Sequence, residues 1–225
     1  RTGECPVGRV RAEWGTGTCR SPGFGAKLAG VGVPGWLVPE GHGGLGMNGI
    51  DLVLVRVEIG RAALAEAVVP TAAVAVPLIR DCGNEALASE WLPKIAAGEA
   101  IVAVAQPSSP LVPEAEVADL LILRSGDGLY AVPAAEARIT PQRSNDPSQK
   151  LATVEFDAKA DQLIASGDEA DRPETAALDR GALAAAAQQL GECQQLIQMS
   201  VEYTTERKQF GVPIGTFQAV KHHVA

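Results

Sequence analysis

A planar cation, an amide and an aromatic ring stand close together near the end of the sequence, as Arg207, Gln209 and Phe210. Phe217 and Gln218 repeat the ring and the amide a few residues further on. A guanidinium can pair with a pyrophosphate, an amide can bind adenine, and aromatic rings stack on flat heterocycles. These five side chains are therefore candidates for binding a dinucleotide. The pattern alone favours another interpretation, a helical hairpin with core phenylalanines and solvated charges.

A helix, a bend and a second helix must position these residues. Residues 181–204 place side chains at mixed three- and four-residue spacing, which is typical of a helix with one face in the core. Gly211 fits the position just past the end of this helix, where a positive φ angle favours glycine. Pro213 blocks continuation, and Thr216, after a glycine, offers the N-cap of a helix over residues 217–225. The predicted core stripe of the first helix comprises Leu183, Ala187, Leu190, Ile197, Val201 and Thr204.

The composition is that of a globular protein with an ample core. The chain has 225 residues, of which 46% are hydrophobic and 20% charged, and this length allows one or two domains. A net charge of -8 without a basic stripe argues against nucleic acid as a partner. No apolar run is long enough to span a membrane and no N-terminal signal is present, so we expect a cytoplasmic location. The cysteines lack zinc-site or disulfide spacing, so free thiols are expected at Cys5, Cys19, Cys82 and Cys193.

Residues 1–98 predict a helical unit. Asn48, with an acid three positions later, predicts the start of a helix over residues 49–67 that is apolar enough to be buried nearly all round. A second helix begins at Pro70, and Pro77 kinks or ends it. A third is capped by Asn84 and closed by a glycine at position 98.

The run GVGVPG at residues 30–35 formally matches the GxGxxG fingerprint of dinucleotide-binding folds. That fingerprint needs a strand before it and a helix at its end. Here Pro34 interrupts the run and residues 36–46 continue as loop, so the dinucleotide-fold interpretation is rejected. His42 in this loop has no set of further ligands around it in the sequence, and we expect no metal site.

After residue 98 the spacing of apolar residues changes from that of a helix to that of a strand. Residues 120–123 and 129–132 flank Ser-Gly-Asp-Gly, which predicts a hairpin. In residues 151–157 apolar and polar side chains alternate, as in a half-buried strand. We expect a small β domain over residues 99–172, whose acidic segment 161–171 links it to the last helix.

The run from Tyr203, YTTERKQFGVPIGTFQAV, is similar to a signature of the acyl-CoA dehydrogenase family, and residues 29–46 resemble a loop in the family's N-terminal part. In that family the signature reaches the FAD of a neighbouring subunit. The resemblance therefore implies FAD contacts for Arg207, Gln209, Phe210, Phe217 and Gln218. It also implies an α+β fold with an N-terminal helical domain (1–98), a middle β domain (99–172) and the start of a C-terminal helical domain (173–225), which we expect to be truncated here.

Two departures from the family pattern bear on activity. The family's Thr-Glu-Pro loop, which holds the flavin ring, is replaced by AQPSSP at residues 105–110, so the donors of the ring site are missing. Dehydrogenation also needs a carboxylate base. Most members keep this base in a region that would lie beyond residue 225, and a minority keep it at a position that falls on Gly181, which cannot abstract a proton. Glu174, Asp179 and Glu192 lie nearby, and each is interpreted as serving the helix dipole or solvation, so the catalytic residue is unknown.

These departures resemble the shortened, degenerate subunit of actinobacterial heterotetrameric acyl-CoA dehydrogenases of sterol and side-chain degradation. The resemblance implies oxidation of an acyl-CoA to its trans-2-enoyl form, with FAD held by a homologous catalytic subunit and electron-transferring flavoprotein as acceptor. Two alternatives remain open. One is a self-sufficient homo-oligomeric dehydrogenase with its base beyond residue 225. The other is a helical scaffold or CoA-binding module without redox chemistry.

Overall fold

The computed structural model describes residues 22–64, 70–146 and 149–224. A helical part comes first, two small sheets follow, and a long helix with a corner at its end completes the fold. The helices are α1 (Pro22–Gly30), α2 (Gly49–Ala62), α3 (Val76–Asp81), α4 (Glu85–Ala96), α5 (Asp168–Glu206) and α6 (Gln218–Val224). The strands are β1 (Val102–Val104), β2 (Val112–Pro113), β3 (Leu120–Ser125), β4 (Gly128–Pro133), β5 (Arg138–Gln142), β6 (Leu151–Glu155), β7 (Leu163–Ser166), β8 (Lys208–Gln209) and β9 (Val212–Pro213).

Helix α2 begins with the predicted cap. Asn48 Oδ1 accepts a hydrogen bond from Ile50 N at 2.8 Å, and the Asp51 carboxylate accepts one from Asn48 N, which together form a capping box. The helix ends at residue 62, earlier than predicted. The prediction that this helix is buried nearly all round was also wrong, because Ile50 is 77% and Leu54 71% exposed. Only the face toward α5 lies in the core.

The segment after residue 70 starts as a π-helix (Thr71–Ala75) and continues as α3. Pro77 lies in the first turn of α3, so it neither ends the helix nor interrupts α3, and the wider π turn comes directly before it. Asn84 caps α4 by accepting from Leu87 N at 3.0 Å, and Gly98 takes a φ of 74° just past its end. The cap at Asn84 and the closing glycine at position 98 were both predicted. The GVGVPG run follows α1 and continues as turns, which confirms that it is not a dinucleotide fingerprint.

Two sheets form the β part. One has the strand order β1-β3-β4-β7, the other β2-β6-β5. The predicted hairpin is present as β3 and β4, and Ala152 of β6 faces the core between the sheets. The predicted acidic link is wrong, because residues 163–166 form β7 and α5 begins at Asp168. Gly167 alone connects them, with a φ of 54°.

Helix α5 packs closely on α2. A methyl group on Gly60 would lie 2.0 Å from Gln188 O, and one on Gly191 would lie 1.9 Å from Val57 O. The buried α5 positions after its first turns are therefore small: Ala177, Ala184, Ala187 and Gly191. The predicted core stripe was wrong for its large members, because Leu183, Leu190, Ile197 and Val201 are 45% to 57% exposed. Backbones this close leave no room for branched side chains between them.

Cys82 is a buried free thiol and Cys193 an exposed one, whereas Cys5 and Cys19 lie outside the described residues. Among the helices of the described ranges, none has the length and apolarity needed to cross a membrane. The domain bounds expected from the sequence remain predictions.

Candidate functional site

A short hairpin follows directly after α5. Arg207 N donates to Tyr203 O and Ile214 N donates to Arg207 O, each at 2.8 Å. Between β8 and β9, Phe210 and Gly211 have φ angles of 53° and 81°, as a two-residue hairpin turn with matching twist requires. The positive φ of Gly211 was predicted, but its place was wrong. Gly211 lies at the tip of a hairpin and not at the end of the helix.

Two aromatic rings meet at this corner. The Phe210 ring is 92% exposed and the Phe217 ring contacts it edge to face, with centroids 6.2 Å apart and an interplanar angle of 85°. A bulky residue with positive φ is unusual, and such conformations cluster at functional sites. The corner therefore presents a ring to its surroundings in a conformation that local preference disfavours.

The polar candidates surround these rings. Side chains alternate along an extended segment, so Arg207 and Gln209 lie on one side of the hairpin and Lys208 on the other. All three are exposed, as is Gln218 at the start of α6. Within the described ranges, neither Arg207 nor Lys208 forms an ion pair. An exposed guanidinium beside amides and rings fits a phosphate-bearing dinucleotide.

Position 181, where a minority of the family keeps its base, leaves no free space for a side chain. A methyl group on Gly181 would lie 2.8 Å from Val74 Cγ2, so even a small side chain there would require that valine to move. Asp179 is exposed, and Glu192 accepts a hydrogen bond from Gln188 Nε2 at 3.0 Å.

Glu174 differs from its predicted role. Its side chain is only 6% exposed and pairs with Arg124 at 2.6 Å, so it is neither solvated nor a simple dipole partner. Arg124 also donates to Asp171, and these hydrogen bonds raise the pKa of the guanidinium. The pair joins β3 to the first turns of α5. Its carboxylate has a structural partner and does not face open space as a base would.

Ser109 in the loop at residues 105–110 forms its hydrogen bonds within the loop and with the next residue. Ser109 N donates to Gln106 O at 3.0 Å, and the Ser109 hydroxyl exchanges hydrogen bonds with Leu111. That hydroxyl is thus occupied within the loop. The loop also lacks the threonine and glutamate that the family resemblance implies for a flavin-ring site, whereas the guanidinium, amides and rings of the corner fit the dinucleotide part.

Arg56 was not identified from the sequence. It lies buried in α2, and its Nε donates to Ala184 O at 3.3 Å. Burial lowers its pKa to about 10, although the nearby charge of Glu192 opposes this shift. A lone cation in the apolar run LVLVRV was the signal in the sequence.

His42 Nε2 lies 3.9 Å from Glu85 Oε1. Over the described part of the chain, no cluster of three His, Cys, Asp or Glu side chains is suited to hold a metal ion.

Comparison with known proteins identifies the family. Residues 9–99 match the family model described as acyl-CoA dehydrogenase, N-terminal domain, and residues 174–225 match acyl-CoA dehydrogenase, C-terminal domain. Acyl-CoA dehydrogenase IpdE2 of Mycobacterium tuberculosis is 30% identical over 195 residues, which are 87% of this chain and 57% of that protein. This chain therefore spans little more than half the length of that relative.

Solved structures share the fold. An acyl-CoA dehydrogenase from Geobacillus kaustophilus matches with a TM-score of 0.84 and 18% identity, over 96% of this chain and 68% of that one. A chain of the ChsE4-ChsE5 complex from Mycobacterium tuberculosis matches with a TM-score of 0.79 and 22% identity, over 98% and 67%. The helical, β and helical parts thus form the acyl-CoA dehydrogenase fold. The chain belongs to the acyl-CoA dehydrogenase family.

Proposed function

We propose that this chain is a subunit of an FAD-dependent acyl-CoA dehydrogenase and completes the FAD site of a homologous catalytic subunit. The corner formed by Arg207, Gln209, Phe210, Phe217 and Gln218 is the observation that carries the proposal. It is exposed, and its guanidinium forms no ion pair with any of the residues that the structure describes. In contrast, position 181 has no carboxylate, and the loop at 105–110 has alanine and glutamine where the family resemblance implies threonine and glutamate.

Each side chain of the corner has a role in this proposal. Arg207 donates charge-assisted hydrogen bonds to the FAD pyrophosphate of the partner. Gln209 and Gln218 supply amides for the adenine edge, and Phe210 with Phe217 covers a flat face of the dinucleotide. The hydride-accepting chemistry of the reaction would be supplied by FAD held between the partner and this corner. We propose that the base that takes the α-proton also belongs to the partner, and Gly181 supports this only in that position 181 supplies no carboxylate.

The similarity to a chain of the ChsE4-ChsE5 complex, an assembly of two different proteins by its name, supports the heteromeric arrangement. The similarity to IpdE2, named as an acyl-CoA dehydrogenase, supports the reaction class. On the family resemblance, we propose a sterol-derived or side-chain acyl-CoA as substrate and electron-transferring flavoprotein as electron acceptor. The site is proposed to act in the cytoplasm.

The test is Arg207→Ala in the complex purified with a candidate catalytic subunit from the same genome. Loss of charge-assisted hydrogen bonds worth about 1.5–3 kcal/mol should weaken FAD binding by roughly ten- to 150-fold. Arg138→Ala is the matched control, because Arg138 is an exposed arginine of β5 that forms an ion pair with exposed Glu155. Unchanged FAD affinity in the Arg207 variant would refute the dinucleotide role and favour a scaffold without redox chemistry.

A further inference from the structure

Gly215 lies against the last turns of α5. It belongs to a short 3-10 helix (Ile214–Thr216) between β9 and α6. A methyl group on Gly215 would lie 3.0 Å from Thr204 O, which is closer than ordinary van der Waals contact, and 3.5 Å from Thr204 Oγ1. Gly215 is not among the glycines with positive φ in the described residues. A side chain at this position would therefore push against Thr204 by a few tenths of an ångström, so glycine serves here through its small size and not through its backbone conformation.

The 3-10 helix carries Phe217 into place. Ile214 N is held by Arg207 O at 2.8 Å, and Phe217 N donates to Ile214 O at 3.1 Å. The Thr216 hydroxyl donates to Pro213 O at 2.7 Å. These bonds make the turn a single compact unit. Its distance from α5 therefore determines where the Phe217 ring lies.

Phe217 in turn contacts the more exposed ring. The Phe210 ring is 92% exposed, and Phe217 provides its only ring contact within the described ranges. An edge-to-face aromatic pair is directional, and its strength changes with small displacements. A shift of the 3-10 helix by a few tenths of an ångström is thus transmitted to Phe210.

We propose that Gly215 is a positioning residue for the ring pair, and that the close approach to Thr204 holds Phe217 where it orients Phe210. The inference rests on the proposed function for its consequence in FAD binding, but the ring geometry is tested separately. Gly215 itself does not touch the dinucleotide. It acts through Phe217.

The first measurement uses this chain alone, labelled with 4-fluorophenylalanine. The sequence contains only four phenylalanines, so the fluorine resonances of Phe210 and Phe217 can be assigned by substitution. Gly215→Ala should shift both resonances and leave that of Phe156, which contacts Tyr130 in the β part, unchanged. Gly41→Ala is the matched control, because Gly41 also lies in a 3-10 helix and a methyl group there would meet no atom within 4 Å. Unshifted Phe210 and Phe217 resonances in the Gly215 variant would overturn the proposal.

The second measurement is FAD affinity in the assembled complex. Gly215→Ala should lower the affinity about three- to tenfold, the range expected for a misplaced aromatic pair. In a Phe217→Leu background the same change should add nothing, because its effect passes through that ring. An equal loss of FAD affinity in the parent and in the Phe217→Leu background would contradict an effect of Gly215 through Phe217. If Arg207→Ala and Phe217→Leu leave FAD binding intact, the proposed function fails, whereas failure of Gly215→Ala alone refutes only this inference.

Discussion

Replacement of Gly60 by alanine tests the packing that fixes the long helix. Alanine favours a helix over glycine by about 1 kcal/mol, so local propensity predicts a more stable protein. The added methyl group would lie 2.0 Å from Gln188 O, and α2 and α5 would have to separate by more than an ångström. Overpacking of this kind costs about 3 kcal/mol when backbone must move. The net expectation is a loss of about 2 kcal/mol in the free energy of unfolding.

Thermal and urea unfolding followed by circular dichroism measures this loss. For a chain of this size, 2 kcal/mol corresponds to a fall in Tm of about 4–8 °C. Gly49→Ala is the control, because Gly49 lies in the same helix and a methyl group there would meet no atom within 4 Å. It should be neutral or slightly stabilising. A Gly60→Ala protein as stable as the parent would show that the two helices are not in backbone contact, and the account of α5 would be wrong.

Arg124→Met should lower the free energy of unfolding in urea by about 2–3 kcal/mol, because it leaves the Glu174 carboxylate buried without its cation. Adding Glu174→Leu should restore at least half of the lost stability, and a double variant with no restored stability would contradict this explanation. Burial raises the pKa of Asp81, but hydrogen bonds and charges from two arginines outweigh this and lower it overall. Asp81 thus stabilises the fold above its ordinary pKa of 3.8. Unfolding measured against pH should therefore show Asp81→Asn most destabilised near neutrality, and its difference from the parent protein should vanish in acid. Phe210→Gly relieves a positive φ and should keep or raise stability by up to about 1 kcal/mol while FAD retention by the complex falls; a clear loss of stability would refute the proposed strain.

The sequence predicted those features of the fold that depend on local chemistry. Asn48 and Asn84 cap helices because their side chains bond the first free amides. A Gly-Asp turn joins β3 and β4 because short apolar runs flank residues that favour a tight turn. These signals lie within a few residues, so no knowledge of distant contacts is needed.

The errors arose where distant backbones meet. The stripe that includes Leu190 and Ile197 has the spacing of a core face, yet the face of α5 that meets α2 is made of alanine and glycine. Gly60 and Gly191 were the signals for such a close approach, since glycine inside a helix has a cost in stability. Glu174 was misjudged for a similar reason. Its partner Arg124 lies fifty positions away in the sequence, and no local pattern connects them.

The candidate site was predicted in composition but not in shape. Arg207, Gln209 and Phe210 were identified by residue type and by family resemblance. The hairpin that turns Phe210 outward was not anticipated, because the helix was expected to end next to Gly211. The ring contact with Phe217 depends on the space left by Gly215, which only the three-dimensional arrangement reveals.

The proposal that this chain completes the FAD site of another subunit is tested most directly by an absorbance spectrum recorded with size-exclusion mass. The chain is measured alone and after co-expression with a candidate catalytic acyl-CoA dehydrogenase subunit. We expect a colourless chain alone and a flavin spectrum in a larger assembly that contains both proteins. Stoichiometric FAD bound by this chain alone would refute the proposed division of the FAD site and indicate a self-sufficient homo-oligomeric dehydrogenase.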